Sequence, residues 1–186
     1  MLLYNTDSCI EVHPSLPCFL TSSDDMQIKL WEYETAFENT QIFDGHIHYV
    51  MMCTFNPKDS NYFASASLDK SIKVWCLGAN EPNYTLEGHE QGVNSVSYYT
   101  GGDRPLLVSG SDDNTVRIWD YQTKSCLQVL TGHDTNVAAC LFHPKIPIII
   151  SASEDGSVRM WNNSTSRCDG RDVLVLFCMR CCSHLS

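Results

Sequence analysis

Serine, histidine and aspartate recur together in this sequence, and that combination can do nucleophilic chemistry. In a hydrolytic triad the aspartate orients the histidine, and the histidine takes the serine proton. Here the trios are His46, Ser65 and Asp69; His89, Ser109 and Asp113; and His133, Ser151 and Asp155. Ser67 competes with Ser65 for the place in the first trio. A catalytic site needs one convergent constellation with an oxyanion hole and a pocket. This chain instead repeats its trio, and no Gly-x-Ser-x-Gly elbow or phosphate-binding loop accompanies it. The expectation is therefore a non-enzyme that needs no cofactor.

The elements that would position these residues are themselves repeated. Tryptophans stand at Trp31, Trp75, Trp119 and Trp161, in steps of 44, 44 and 42. Gly-His pairs stand at Gly45-His46, Gly88-His89 and Gly132-His133. Asp25, Asp69, Asp113 and Asp155 each fall six residues before their Trp. A period of about 40–45 residues with Gly-His and Trp markers is the signature of a four-stranded propeller blade. Between the markers lie short apolar or alternating runs, such as Val50-Met51-Met52-Cys53-Thr54-Phe55 and Val116-Arg117-Ile118-Trp119. Turns follow at His13-Pro14, Asn56-Pro57 and His143-Pro144, where proline ends a strand for want of an N–H. Asp113-Asn114 and Asp155-Gly156 suit a tight hairpin with a left-handed residue. Outer strands are expected at Asn83-Tyr84-Thr85-Leu86 and at Cys126-Leu127-Gln128-Val129-Leu130. No stretch has helical periodicity. The fold class is all-β, a propeller fragment of about four blades near residues 1–43, 44–86, 87–130 and 131–177, forming an incomplete ring.

Composition narrows the function classes. Twelve Lys and Arg against 22 Asp and Glu give a net charge of -10, which argues against nucleic acid and allows a cationic partner. Ten cysteines would fit a disulfide framework, but Cys9, Cys53 and Cys140 lie in apolar runs, where free Cys packs as a small hydrophobe. No secretory signal is expected of Met1-Leu2-Leu3-Tyr4, so a reducing cytosol is the expected compartment. The sequons at Asn83 and Asn163 would then go unmodified. No apolar run approaches the roughly 18 residues of a membrane span. A divergent Cys-rich tail occupies 168–186. Its Cys178, Cys181, Cys182 and His184 have zinc-like spacing but make only one half-site, and Cys181 or Cys182 could be acylated. The favoured reading of the tail is no evolved site, and no metal is expected.

The markers resemble WD repeats over residues of about 9 to 167. That resemblance implies a structural role for the trios. In the family, the His of Gly-His, a second-strand Ser or Thr, the turn Asp and the Trp form a hydrogen-bonded tetrad. Its members here would be His46, Ser65, Asp69 and Trp75; His89, Ser109, Asp113 and Trp119; and His133, Ser151, Asp155 and Trp161. Each buried polar group would find a partner, avoiding a desolvation cost of roughly 1–3 kcal/mol.

Segments between the markers are more specific. Cys9-Ile10-Glu11-Val12-His13-Pro14, Ile28-Lys29-Leu30-Trp31, Phe55-Asn56-Pro57-Lys58-Asp59 and Ile118-Trp119-Asp120-Tyr121-Gln122 are similar to the N-terminal propeller of the coatomer beta-prime family, in its middle blades. The resemblance implies a vesicle coat working between Golgi and endoplasmic reticulum. It would be cytoplasmic, peripheral on Golgi membranes, with other coatomer subunits as partners. It also implies recognition of dilysine signals on the cytosolic tails of membrane cargo. In that family the acidic residue just before the tetrad Asp contributes to signal binding. Those positions are Asp24, Asp112 and Glu154 here, with Leu68 in the second blade. The alternatives are a scaffold for another assembly, such as a ubiquitin ligase, or a truncated product without retained binding.

Overall fold

A computed structural model describes residues 7–34 and 37–163 together with the backbone of 173–174. Every element in these residues is a strand, and the strands form four separate antiparallel sheets. The first sheet holds β1 (Asp7–Val12), β2 (Cys18–Ser23), β3 (Gln27–Glu32) and β4 (Glu38–Asp44). The second holds β5 (Val50–Phe55), β6 (Tyr62–Ser67), β7 (Ile72–Cys76) and β8 (Tyr84–Leu86). The third holds β9 (Val93–Tyr98), β10 (Leu106–Ser111), β11 (Thr115–Asp120) and β12 (Ser125–Thr131). The fourth holds β13 (Val137–Phe142), β14 (Ile148–Ser153), β15 (Ser157–Asn162) and β16 (Val173–Leu174). Within each sheet the spatial order is the chain order, so every blade is a simple meander.

The first strands of successive blades face one another: β1 against β5, β5 against β9, and β9 against β13. They are the inner strands of an all-β propeller arc that does not close into a barrel. In the middle blades burial peaks at the second strand and falls toward the outer edge. Every residue of β10 is buried, because a second strand is covered on both faces by neighbouring blades. In β12 exposed and covered residues alternate along the strand, as expected of a sheet edge with one covered face.

The core sits at the seams between blades. Leu20, Ile28 and Phe43 of the first blade pack on Val50, Cys53, Phe55, Phe63 and Trp75 of the second. Ala64, Ile72 and Leu86 then meet Val93, Val96 and Trp119, and Val108, Val116 and Ile118 meet Cys140, Phe142 and Trp161. Rings are ordered within these seams. Phe63 stacks on Trp75 at 6.1 Å between centroids, and Phe43 meets Phe63 edge-on at 4.8 Å. A blade therefore contributes one face to each of two cores, so repeat stability depends on neighbours.

The turns ending the inner strands use the residue before proline as a cap. His13 Nδ1 accepts the N–H groups of Ser15 and Leu16 at 3.1 and 2.9 Å. His143 Nδ1 does the same for Lys145 and Ile146, and the Asn56 side-chain oxygen does so for Lys58. A ring or amide acceptor satisfies the N–H groups that the sheet no longer pairs. His13, read from sequence only as a turn marker, is thus a buried structural residue, 4% exposed. The cysteines Cys9, Cys18, Cys53, Cys76, Cys126 and Cys140 are all free thiols. Cys178, Cys181, Cys182 and His184 of the tail lie outside the described residues.

Candidate functional site

Each turn between second and third strands is built on its aspartate. In the second blade Asp69 Oδ1 accepts the Ser71 N–H at 3.0 Å, while Ser67 Oγ accepts the Asp69 N–H at 3.1 Å. The same pair of bonds recurs around Asp25, Asp113 and Asp155. The residue after each Asp is left-handed: Met26, Lys70, Asn114 and Gly156 have φ of 68, 75, 66 and 81°. Asn114 and Gly156 suit that conformation intrinsically. Met26 and Lys70 adopt it because the Asp side chain holds the turn closed around them.

The other aspartate oxygen reaches the histidine. His46 Nδ1 lies 2.7 Å from Asp69 Oδ2, and His46 Nε2 lies 2.7 Å from Ser65 Oγ. Ser65 Oγ also accepts the Trp75 indole N–H at 2.8 Å. His89, Ser109, Asp113 and Trp119 make the same chain at 2.8, 2.7 and 2.8 Å. So do His133, Ser151, Asp155 and Trp161. Oδ2 also accepts the backbone N–H after each His, at Ile47, Glu90 and Asp134. With Nδ1–H given to the carboxylate, Nε2 is left to accept the serine proton. Ser67, the competing hydroxyl, instead donates to the His48 carbonyl. The serines Ser65, Ser109 and Ser151 are 0, 0 and 1% exposed, so a substrate cannot reach their hydroxyls as they stand.

Burial pushes the Asp69, Asp113 and Asp155 carboxyls up, but the bonds they accept outweigh it. His46 and Ser71 act on Asp69, His89 and Thr115 on Asp113, and Ser157 and His133 on Asp155. The net effect holds all three well below the usual carboxylate range. Gly-His owes its glycine to this cluster. A Cβ on Gly88 would lie 3.2 Å from Trp119 Cη2 and one on Gly132 would lie 3.3 Å from Trp161 Cη2, at φ of +153 and +154°. The first blade has no Gly-His in its sequence. There Trp31 donates to Thr21 at 3.0 Å, and Lys29 takes the carboxylate of Asp25.

The tetrads place the residue just before each Asp at the inner rim. The Asp112 N–H donates to the Gly92 carbonyl, and the Glu154 N–H to the Asn136 carbonyl, tying each acid to the entry of its inner strand. Asp112 and Glu154 line one open depression of about 510 Å³ with Asn94, Met51, Met52 and Ser8. Asn94 Nδ2 donates to Asp112 Oδ1 at 2.6 Å and to the Val137 carbonyl at 3.1 Å, so it bridges two blades. Asn136 Nδ2 donates to Glu154 Oε2 at 3.3 Å. Asp24 stands beside this depression, not in its lining, and accepts from Ser8 at 3.4 Å. Leu68 occupies the same turn position in the second blade and adds no charge.

Sequence reasoning missed Asn94 and Asn136. Each precedes its acid by 18 residues, yet Asn94 follows Val93 at the start of β9, whereas Asn136 precedes Val137 at the start of β13. Bulges interrupt the pairing at both strand entries. Counted from the strand starts, the two amides stand at different positions, although both end on a carboxylate. Among the described residues no group of His, Cys, Asp and Glu is arranged to hold a metal ion.

Four meandering blades, seams filled by Trp and tetrads that lock the turns define a β-propeller repeat protein. The family model of the WD domain, G-beta repeat, matches residues 7–32, 37–76, 80–120 and 124–162, and the chain belongs to that family. Its similarity extends to particular members. It is 61% identical over 117 residues to coatomer subunit beta'-2 of Arabidopsis thaliana and 59% identical over 117 residues to coatomer subunit beta' of Rattus norvegicus. It is 51% identical over 114 residues to the probable coatomer subunit beta' of Schizosaccharomyces pombe. These alignments cover 61 to 63% of this chain and only 13 to 14% of the relatives' length.

Proposed function

We propose that this chain is a non-catalytic propeller segment of a vesicle coat, and that its inner rim binds dilysine signals on cytosolic tails of membrane cargo. The coat assignment draws on the identity to coatomer beta' subunits. Its place is then the cytoplasmic side of Golgi membranes, held there through other coat subunits. The binding assignment rests on one observation: Asp112 and Glu154 share a single depression, each held by an asparagine amide. Lysine ammonium groups are compact, strongly hydrated charges that need carboxylates already in place. An exposed ion pair contributes only about 0–1 kcal/mol, so one acid would not suffice and neighbouring acids must act together. Asp24, at the edge of the same region, contributes long-range attraction.

The test is a titration of the purified chain with a fluorescent peptide ending in a dilysine signal, against a control whose lysines are serines. The lysine peptide binds selectively. Asp112→Ala and Glu154→Ala each weaken binding about threefold to tenfold, the scale of ~1 kcal/mol, and Asp24→Ala weakens it less. Equal binding of the two peptides sinks the proposal.

A further inference from the structure

The seam between the second and third blades differs from its neighbours at the end remote from the acidic rim. Three positions recur there from blade to blade. On the outer strand, Gln41, Tyr84 and Gln128 pair with the residue just before each Trp. At the end of the inner strand stand Phe55, Tyr98 and Phe142. Two residues past each Trp stand Leu77, Tyr121 and Asn163, whose N–H groups donate to the carbonyls of Asn61, Pro105 and Pro147. Tyrosine fills all three positions in this seam and none of them in the seams on either side.

Packing alone does not call for these phenols. Phe55 and Phe142 are sealed as well as Tyr98, at 5, 6 and 5% exposed. Two of the tyrosines serve the seam: Tyr84 Oη donates to the Tyr121 carbonyl at 2.8 Å, and the Tyr121 ring meets Tyr98 edge-on at 5.4 Å. The Tyr98 hydroxyl has no hydrogen-bond partner among the described residues, and it opens into a pocket of about 340 Å³ lined also by Tyr84, Tyr121, Val74, Asn56 and Gln122. Every lining residue belongs to the second or third blade, so each flank of this seam is covered by a neighbour. Burial pushes the Tyr98 phenol up, which keeps it a donor. In the first seam the corresponding place is filled by Gln41, whose amide bonds to Gly78, Ala79 and Asn80.

We propose that this pocket binds a proline-rich peptide segment in the polyproline II conformation. Such a segment has no internal hydrogen bonds, so its carbonyls are free to accept from the Tyr98 hydroxyl, and its rings pack on aromatic walls. A neutral ligand fits the charges. Lys58 and Asp59 both stand in the lining and offset each other. The cation site on the Tyr84 ring is already taken by Lys124 Nζ, 4.6 Å from its centroid. Asp112 and Glu154 follow the second strands of their blades, whereas this pocket gathers the ends of an inner and a third strand, at the opposite ends of the blades. The proposal goes beyond the sorting-signal reading, and its failure leaves that reading untouched.

Fluorescence anisotropy with labelled decaproline, against a Gly-Ser peptide of the same length, tests this on the full chain. Decaproline binds saturably and the control does not. Tyr98→Phe, which keeps the ring that the other blades use, weakens binding about threefold to tenfold, the worth of one hydrogen bond, and leaves the thermal midpoint unchanged. Tyr121→Ala weakens it further, with circular dichroism reporting an intact fold. Equal affinity of the parent and Tyr98→Phe overturns the proposal. So does the absence of saturable decaproline binding, equal binding of the Gly-Ser peptide, or displacement of decaproline by tetramethylammonium, which would make the phenols a cation cage.

Discussion

His89 Nδ1 and Asp113 Oδ2 lie 2.8 Å apart, with side chains 1 and 6% exposed, and the pair recurs at His46–Asp69 and His133–Asp155. Each carboxylate accepts an imidazole N–H and backbone N–H groups at once, so its ionised form is what the fold selects. The folded carboxyls lie below their unfolded value of about 3.9, so they contribute stability that is fully present above that value. That contribution is lost as pH falls through it toward the lower folded value. Urea midpoints should accordingly hold between pH 7 and 5 and drop steeply below about pH 4. Asp113→Asn should lower the midpoint at pH 7 and flatten its change between pH 5 and 3. A variant as acid-sensitive as the parent would remove Asp113 from this role.

Ser109 is the hinge of its tetrad, donating to His89 and accepting from Trp119. Ser109→Ala leaves a buried imidazole nitrogen and a buried indole N–H without their partner. The expected loss is about 1–3 kcal/mol, measured by urea unfolding. Thr21→Ala in the first blade breaks the bond to Trp31, whose ring is only half-buried, and it should cost less.

Gly92 makes room for the Asp112 carboxylate. A Cβ there would lie 2.9 Å from Asp112 Oδ2 and 2.6 Å from Leu68 Cδ2, so both side chains must shift. Gly92→Ala should therefore weaken lysine-peptide binding by about the same factor as Asp112→Ala, threefold to tenfold. Fluorescence anisotropy would show this, with circular dichroism reporting an intact fold. Unchanged affinity would mean that the Asp112 position does not govern binding.

Gly88 is required by geometry as well as by conformation. Gly88→Ala places a methyl group against Trp119 and the Arg117 guanidinium at a backbone angle disfavoured for L-residues. Overpacking of this kind costs about 1–3 kcal/mol. The thermal midpoint should fall, where a methyl added to an open turn such as Gly78, with nothing within 4 Å of its Cβ, should disturb only the backbone angle.

Much of the fold was legible because its constraints are local and repeated. Gly-His, Asp and Trp recur in phase, and strand alternation between them marks the sheets. The sequence also named the tetrad members, leaving Ser65 and Ser67 to be separated by which hydroxyl faces the indole. It marked Asp24, Asp112 and Glu154 as one kind of turn position, without showing that Asp112 and Glu154 share a depression that Asp24 only borders. It missed Asn94 and Asn136, since the two amides start from different strand positions and only the packed blades bring both onto a carboxylate.

The sequence by itself thus determined the number of blades, their strand order and the residues that lock each turn, because those depend on spacing along the chain. Only the tertiary structure decided which acids stand together and which amides hold them. Those properties depend on how whole blades rotate against one another, and that rotation is set by the packing at the seams.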